Sequence, residues 1–104
     1  MKIQFNTANN VSGSEALSTK FSETIEQALS RFNERITRVE VHFTDENGHK
    51  SGTDDKRCML EARLEGLQPI AVTNNAATLE QALTGAITKL KTSLDTTLGK
   101  MRNY

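Results

Sequence analysis

The chain has 104 residues, with 13 basic and 13 acidic side chains, 36% hydrophobic content and one cysteine. That is the size of a single domain, taken as residues 1–104, with enough apolar material to bury a core without disulfides or metal. Balanced charge excludes nucleic-acid binding driven by net charge alone, and the lone Cys58 excludes an internal disulfide and fits a reducing compartment. The opening MKIQFNTANN has no apolar run of the signal-peptide kind, and no stretch reaches membrane-span length. The expected location is therefore the cytoplasm, away from membranes.

From Met1 to Ala8, Ile3 and Phe5 alternate with Lys2, Gln4 and Asn6, which predicts a short strand. Asn9–Gly13 reads as a turn, and Ser12 with Glu15 has capping-box spacing for a helix reaching about Glu34. The apolar positions of that helix are Leu17, Phe21, Ile25, Ala28, Leu29 and Phe32, spaced by three and four. Beside them runs a second stripe of Lys20, Thr24, Gln27, Arg31 and Arg35 that contains no acid.

Two alternating segments follow, at about Thr37–Thr44 and Arg57–Leu64. In the first, Val39, Val41 and Phe43 share one side, and Arg38, Glu40 and His42 the other; in the second, Cys58, Leu60, Ala62 and Leu64 oppose Arg57, Met59, Glu61 and Arg63. Side chains alternate with period two, so the pair predicts an antiparallel hairpin with one apolar and one charged face. In the loop Asp45–Lys56, the alternation of Asp45, Asn47 and His49 invites a calcium reading. It fails, because the sixth place holds Lys50 and the twelfth Lys56, where Gly and Glu are required. Gly66 turns the chain, and Pro69 opens a fourth short strand at Ile70–Thr73, suited to an edge.

Thr78 and Gln81 repeat the capping-box spacing before a helix from Leu79 to about Leu98, with Gly85 in its middle and Gly99 as C-cap. From Leu79 onward there are four basic and two acidic residues, against nine and eleven before it. On a helical wheel Lys89, Ser93, Thr96 and Lys100 share one flank, and Lys91 and Arg102 lie on the other, near Asp95.

The order strand, helix, three strands, helix predicts an α+β fold: a two-layer sandwich, β-α-β-β-β-α, with a four-stranded sheet and both helices on one face. The first crossover should be right-handed and the last three strands an antiparallel meander. The open face would carry Lys2, Arg38, Glu40, His42, Arg57, Glu61 and Arg63 in mixed sign. Such mixing points to cross-strand ion pairing rather than a phosphate platform, and the face has no exposed aromatics for stacking bases. No metal site, cofactor or small-molecule substrate is read from the chain, and two histidines and one cysteine assemble no acid, base and nucleophile, so it is not read as an enzyme.

Arg35–Val72, written RITRVEVHFTDENGHKSGTDDKRCMLEARLEGLQPIAV, together with L-x-x-A-L-x-G-A-x-x-K-L over Leu79–Leu90, resembles the ribosome hibernation-promoting or ribosome-associated inhibitor family. The likeness is to its short forms, the ribosome-associated protein subgroup. The resemblance implies a double-stranded-RNA-binding-like fold, with the small ribosomal subunit and its ribosomal RNA as partners. It further implies inhibition of translation by occupying the messenger and transfer RNA path. Lys89 and Lys100 match basic positions of the family's last helix, and Arg31 stands near the end of the first helix where the family has Lys; Thr92 and Thr96 stand at positions usually basic. Joined to the acid-free stripe, this makes Lys20, Arg31, Arg35, Lys89 and Lys100 the candidate RNA contacts, with the two helical flanks expected to form one surface. The competing readings are an interaction module or homodimer using the polar sheet face, and a generic duplex-RNA binder.

Overall fold

A computed structural model describes residues 1–6, 15–45 and 56–102, with the backbone alone at 15, 45 and 100–102. Its elements are β1 (Lys2–Phe5), α1 (Glu15–Ala28), a 3-10 turn (Ser30–Phe32), β2 (Ile36–Asp45), β3 (Lys56–Leu64), β4 (Ile70–Ala76) and α2 (Leu79–Arg102). The four strands form one sheet in the order β1-β2-β3-β4. β1 runs parallel to β2, and both other pairings are antiparallel. This is the expected α+β sandwich, with strand pairing set by the alternation of the central hairpin. Val39, Val41, Cys58, Leu60 and Ala62 are fully buried on one face, as period two requires.

The core lies between that face and the helices. Ile25, Leu29, Leu83, Leu90 and Leu94 are each at most 1% exposed, which places the helical stripes against the sheet. Phe21 of α1 meets Phe43 of β2 with ring centroids 5.5 Å apart and tilted by 49°, an arrangement that suits the quadrupoles of both rings. α2 packs over β3 and β4.

The helix read to Glu34 ends at Ala28 and continues as the 3-10 turn. Phe32 N–H donates to Leu29 O and Asn33 N–H to Ser30 O, both three residues back. A 3-10 turn stacks residues i and i+3 over one another, so Leu29 and Phe32 both stay in the core while Ser30 and Asn33, poor helix formers, face outward. At the other end of the chain α2 passes through Gly99 and reaches Arg102, so Gly99 is a helical residue and not a C-cap.

β4 is longer than the four residues expected and includes Asn74 and Asn75. Asn74 turns toward α2, where its Nδ2 donates to Ala82 O at 3.3 Å. The side chain occupies the notch left by Gly85, whose missing Cβ would lie 2.6 Å from Asn74 Cγ. Thr78 Oγ1 accepts from Gln81 N–H at 3.1 Å, one half of the expected capping box; the Ser12 cap falls outside the described residues. Gly66 has φ +76°, the left-handed conformation that its turn requires. The loop that carried the calcium reading, residues 46–55, also lies outside the described residues.

Candidate nucleic-acid interface

Two surfaces were candidates: the open sheet face and the helical layer. On the sheet face like charges stand directly opposite, Arg38 across from Arg63 and Glu40 across from Glu61. Directly opposed like charges repel, and the side chains relieve this diagonally. Arg63 Nε donates to Glu40 at 3.0 Å and its Nη2 reaches Glu61 at 2.9 Å. Arg38 Nη2 donates to the same Glu40 oxygen at 3.0 Å, and Asn6 Nδ2 to the other at 3.2 Å. Partial burial opposes ionisation of Glu40, but the hydrogen bond from Arg63 and the charges of both arginines outweigh it, so its carboxyl lies below the ordinary carboxylate value. Arg38 and Arg63 are therefore committed to internal acids, as the mixed pattern led us to expect.

The helical layer carries the five candidate cations, and they fall into two groups. Lys20 lies on α1 and faces α2, with its Nζ 3.6 Å from Glu80. Arg31, on the 3-10 turn, forms a two-pronged pair with Asp95 of α2: Nη1 to Oδ1 at 2.6 Å and Nη2 to Oδ2 at 2.8 Å. The hydrogen bond that Arg31 donates to Asp95 is the main reason its guanidinium is held above its ordinary value. Arg35 follows in the next turn and lines an open pocket of about 160 Å³ with Arg31, Phe32, Asp95, Leu98 and Gly99.

Lys89 belongs to the other group. Its Nζ donates to Thr73 O of β4 at 2.8 Å, so it lies over the sheet edge. Lys89 and Asp95 are roughly 120° apart around α2 at 3.6 residues per turn. The flank of α2 that meets the α1 stripe is thus the one bearing Glu80 and Asp95, not the one bearing Lys89. The stripe is acid-free along α1, but acids from α2 are set against it. Lys100 shares the wheel position of Lys89, and its side chain lies outside the described residues.

Between the two groups runs a ridge of exposed threonines on α2, which sequence reasoning did not single out as a unit. Thr84, Thr88, Thr92 and Thr96 each donate Oγ1–H to the carbonyl four residues back, at 2.9 to 3.2 Å. Their spacing of four was visible in the sequence. Each hydroxyl proton is committed to the helix, so the outward side of the ridge offers acceptors. Thr24 of α1 does the same to Lys20 O. Such a ridge suits ribose hydroxyls or base amino groups better than phosphates, which themselves only accept.

Among the described residues no cluster of His, Cys, Asp and Glu is arranged to hold a metal, and no helix is long and apolar enough to cross a membrane. Cys58 is buried, and its thiol is pushed up to about 12 by that burial.

Solved structures share this fold. The N-terminal domain of Protein Y from Thermus thermophilus superposes with a TM-score of 0.68 at 20% identity, covering 89% of this chain and 94% of that one. A ribosomal subunit interface protein from Coxiella burnetii gives 0.69 at 22% identity, covering 95% and 99%. The class is a small α+β domain of the kind found in these two proteins. Compared with curated proteins, the sequence finds no match. It does match, over residues 6–102, the family described as Sigma 54 modulation protein / S30EA ribosomal protein. The chain belongs to that family.

Proposed function

We propose that this protein binds the small ribosomal subunit through ribosomal RNA and inhibits translation by occupying the messenger and transfer RNA path. It acts by occupancy, so no bond is made or broken, and its place of action is the cytoplasm. The observation that carries the reading is the family match across residues 6–102. The helical layer is the contact surface: Lys20, Arg31 and Arg35 on one side of the threonine ridge, and Lys89 and Lys100 on the other. Phosphate contacts by these five would release counterions and weaken with salt, while the ridge accepts from ribose. The choice of this layer over the sheet face is supported by the commitment of Arg38 and Arg63 to Glu40 and Glu61.

The test compares two faces in the intact chain. Arg31→Ala with Lys89→Ala and Lys100→Ala should lower affinity for purified small subunits and flatten its salt dependence, with folding verified by circular dichroism. Arg38→Ala with Arg63→Ala on the sheet face should leave binding near the parent value. If the sheet-face pair abolishes binding while the helical triple binds normally, the contact surface is the sheet, and the interaction-module reading takes its place.

A further inference from the structure

The Arg31 guanidinium is held on two sides. Its Cζ lies 4.2 Å over the ring of Phe32, which is itself only 4% exposed. Its two terminal nitrogens grip both oxygens of Asp95. An arginine fork offers the same two-donor geometry to a carboxylate and to a phosphate. Arg35 lines the same open pocket as Arg31 and Asp95, so a second basic residue belongs to this part of the surface. Both partners are on the surface, with Arg31 56% and Asp95 52% exposed, so solvent and a ligand can reach the pair.

We propose that Asp95 is a built-in competitor for RNA phosphate at a two-arginine site formed by Arg31 and Arg35. The proposal rests on the RNA-binding reading above and specifies how that surface is tuned. In the free protein the carboxylate fills the fork and keeps it from isolated anions. On the target a backbone phosphodiester takes the fork, stacked Phe32 keeps the guanidinium in position, and Asp95 turns to solvent. Occupancy of the α1 side then demands an RNA that supplies several phosphates at once, because those at Arg31 and Lys20 must displace or bypass an internal acid. Glu80, set against Lys20, acts in the same sense at longer range. Affinity and selectivity are in this way lowered and sharpened by the α2 flank that meets α1.

The experiment uses the full chain with Asp95→Asn, Asp95→Ser, and Glu23→Gln, the last removing one exposed acid elsewhere on α1. Inorganic phosphate is titrated into each, following the Arg31 side-chain Nε–H resonance. Exposed ion pairs are worth little, so releasing this one should tighten phosphate binding by about two- to fivefold at low salt. Arg31→Ala in the Asp95→Asn background should abolish the gain, and Glu23→Gln should show none. In small-subunit binding, Asp95→Asn should gain a similar factor, with a salt slope steeper by about 0.7 to 0.9, one further phosphate contact. Phosphate binding unchanged or weaker in both Asp95 variants overturns the proposal, as does an equal gain in Glu23→Gln, which would reduce the effect to net charge. If phosphate binding gains as expected but no form of the protein binds ribosomal subunits, the competitor stands and the ribosomal reading falls.

Discussion

Replacing Gly85 by Ala should fail to give the stabilisation expected at an interior helical glycine. By propensity alone the change gains about 1 kcal/mol. Here the new Cβ would lie 2.6 Å from Asn74 Cγ and 3.0 Å from its Oδ1, closer than such atoms approach. Either Asn74 leaves the notch, giving up its hydrogen bond to Ala82 O at a cost of about 0.5–1.5 kcal/mol, or α2 moves off β4, with the roughly 1–3 kcal/mol typical of overpacking. Set against the propensity gain, the first route leaves the protein within about 0.5 kcal/mol of the parent and the second gives a loss of up to about 2 kcal/mol. In a domain of this size that lowers the melting temperature by up to about 10 °C. The assay is a double-mutant cycle with Asn74→Ala, read by urea unfolding. With Asn74 truncated, Gly85→Ala has nothing to displace and should recover its gain of about 1 kcal/mol, a coupling of roughly 0.5–3 kcal/mol. A gain of about 1 kcal/mol in both backgrounds would refute the account of the notch.

Three further outcomes follow from the packing and the charges. Leu90 is fully buried, so Leu90→Ala should cost about 2–5 kcal/mol, whereas Lys89→Ala, on the exposed flank, should stay within about 1 kcal/mol; equal urea midpoints would contradict the placement of α2. The folded-state pKa of Glu40 is lowered from 4.5, so its contribution is present above that value and lost as pH falls through the depressed one. Wild type should therefore lose stability more steeply than Glu40→Gln below about pH 4.5, measured by urea unfolding against pH. The Cys58 thiol is raised from 9.0 to about 12, so the folded state keeps its proton and stability declines as pH rises from 9.0 toward 12. Alkylation of Cys58 at pH about 8 should accordingly wait for unfolding; rapid labelling of the native protein would show the site to be open.

The hairpin from Arg38 to Leu64 was legible because period two leaves no other assignment: Val39, Val41, Cys58, Leu60 and Ala62 are buried as their alternation demanded. Gly66 and Thr78 were legible because each has one local task, a positive φ and a cap. The end of α1 was not, since Leu29 and Phe32, three apart, fit an α-helix and a 3-10 turn equally well. Asn74 read as a connection because Asn is a poor strand former, and both its pairing opposite Cys58 and the notch at Gly85 that takes its side chain are distant in sequence. Gly99 read as a cap because nothing local says that α2 continues through it. The candidate surface divides on the same line. Which side chains lie on each helix could be read from spacing, but Arg31 meets Asp95 across 64 positions. Only the docking of two helices decides that an acid-free stripe on one is matched by acids on the other.

The most direct test of the central claim is binding of the labelled protein to purified small and large ribosomal subunits, separately, with messenger RNA and initiator transfer RNA as competitors. The account predicts saturable binding to small subunits alone, weakened by salt and displaced by the two RNAs together. Binding to neither subunit, or binding to small subunits that is indifferent to both RNAs, would contradict it.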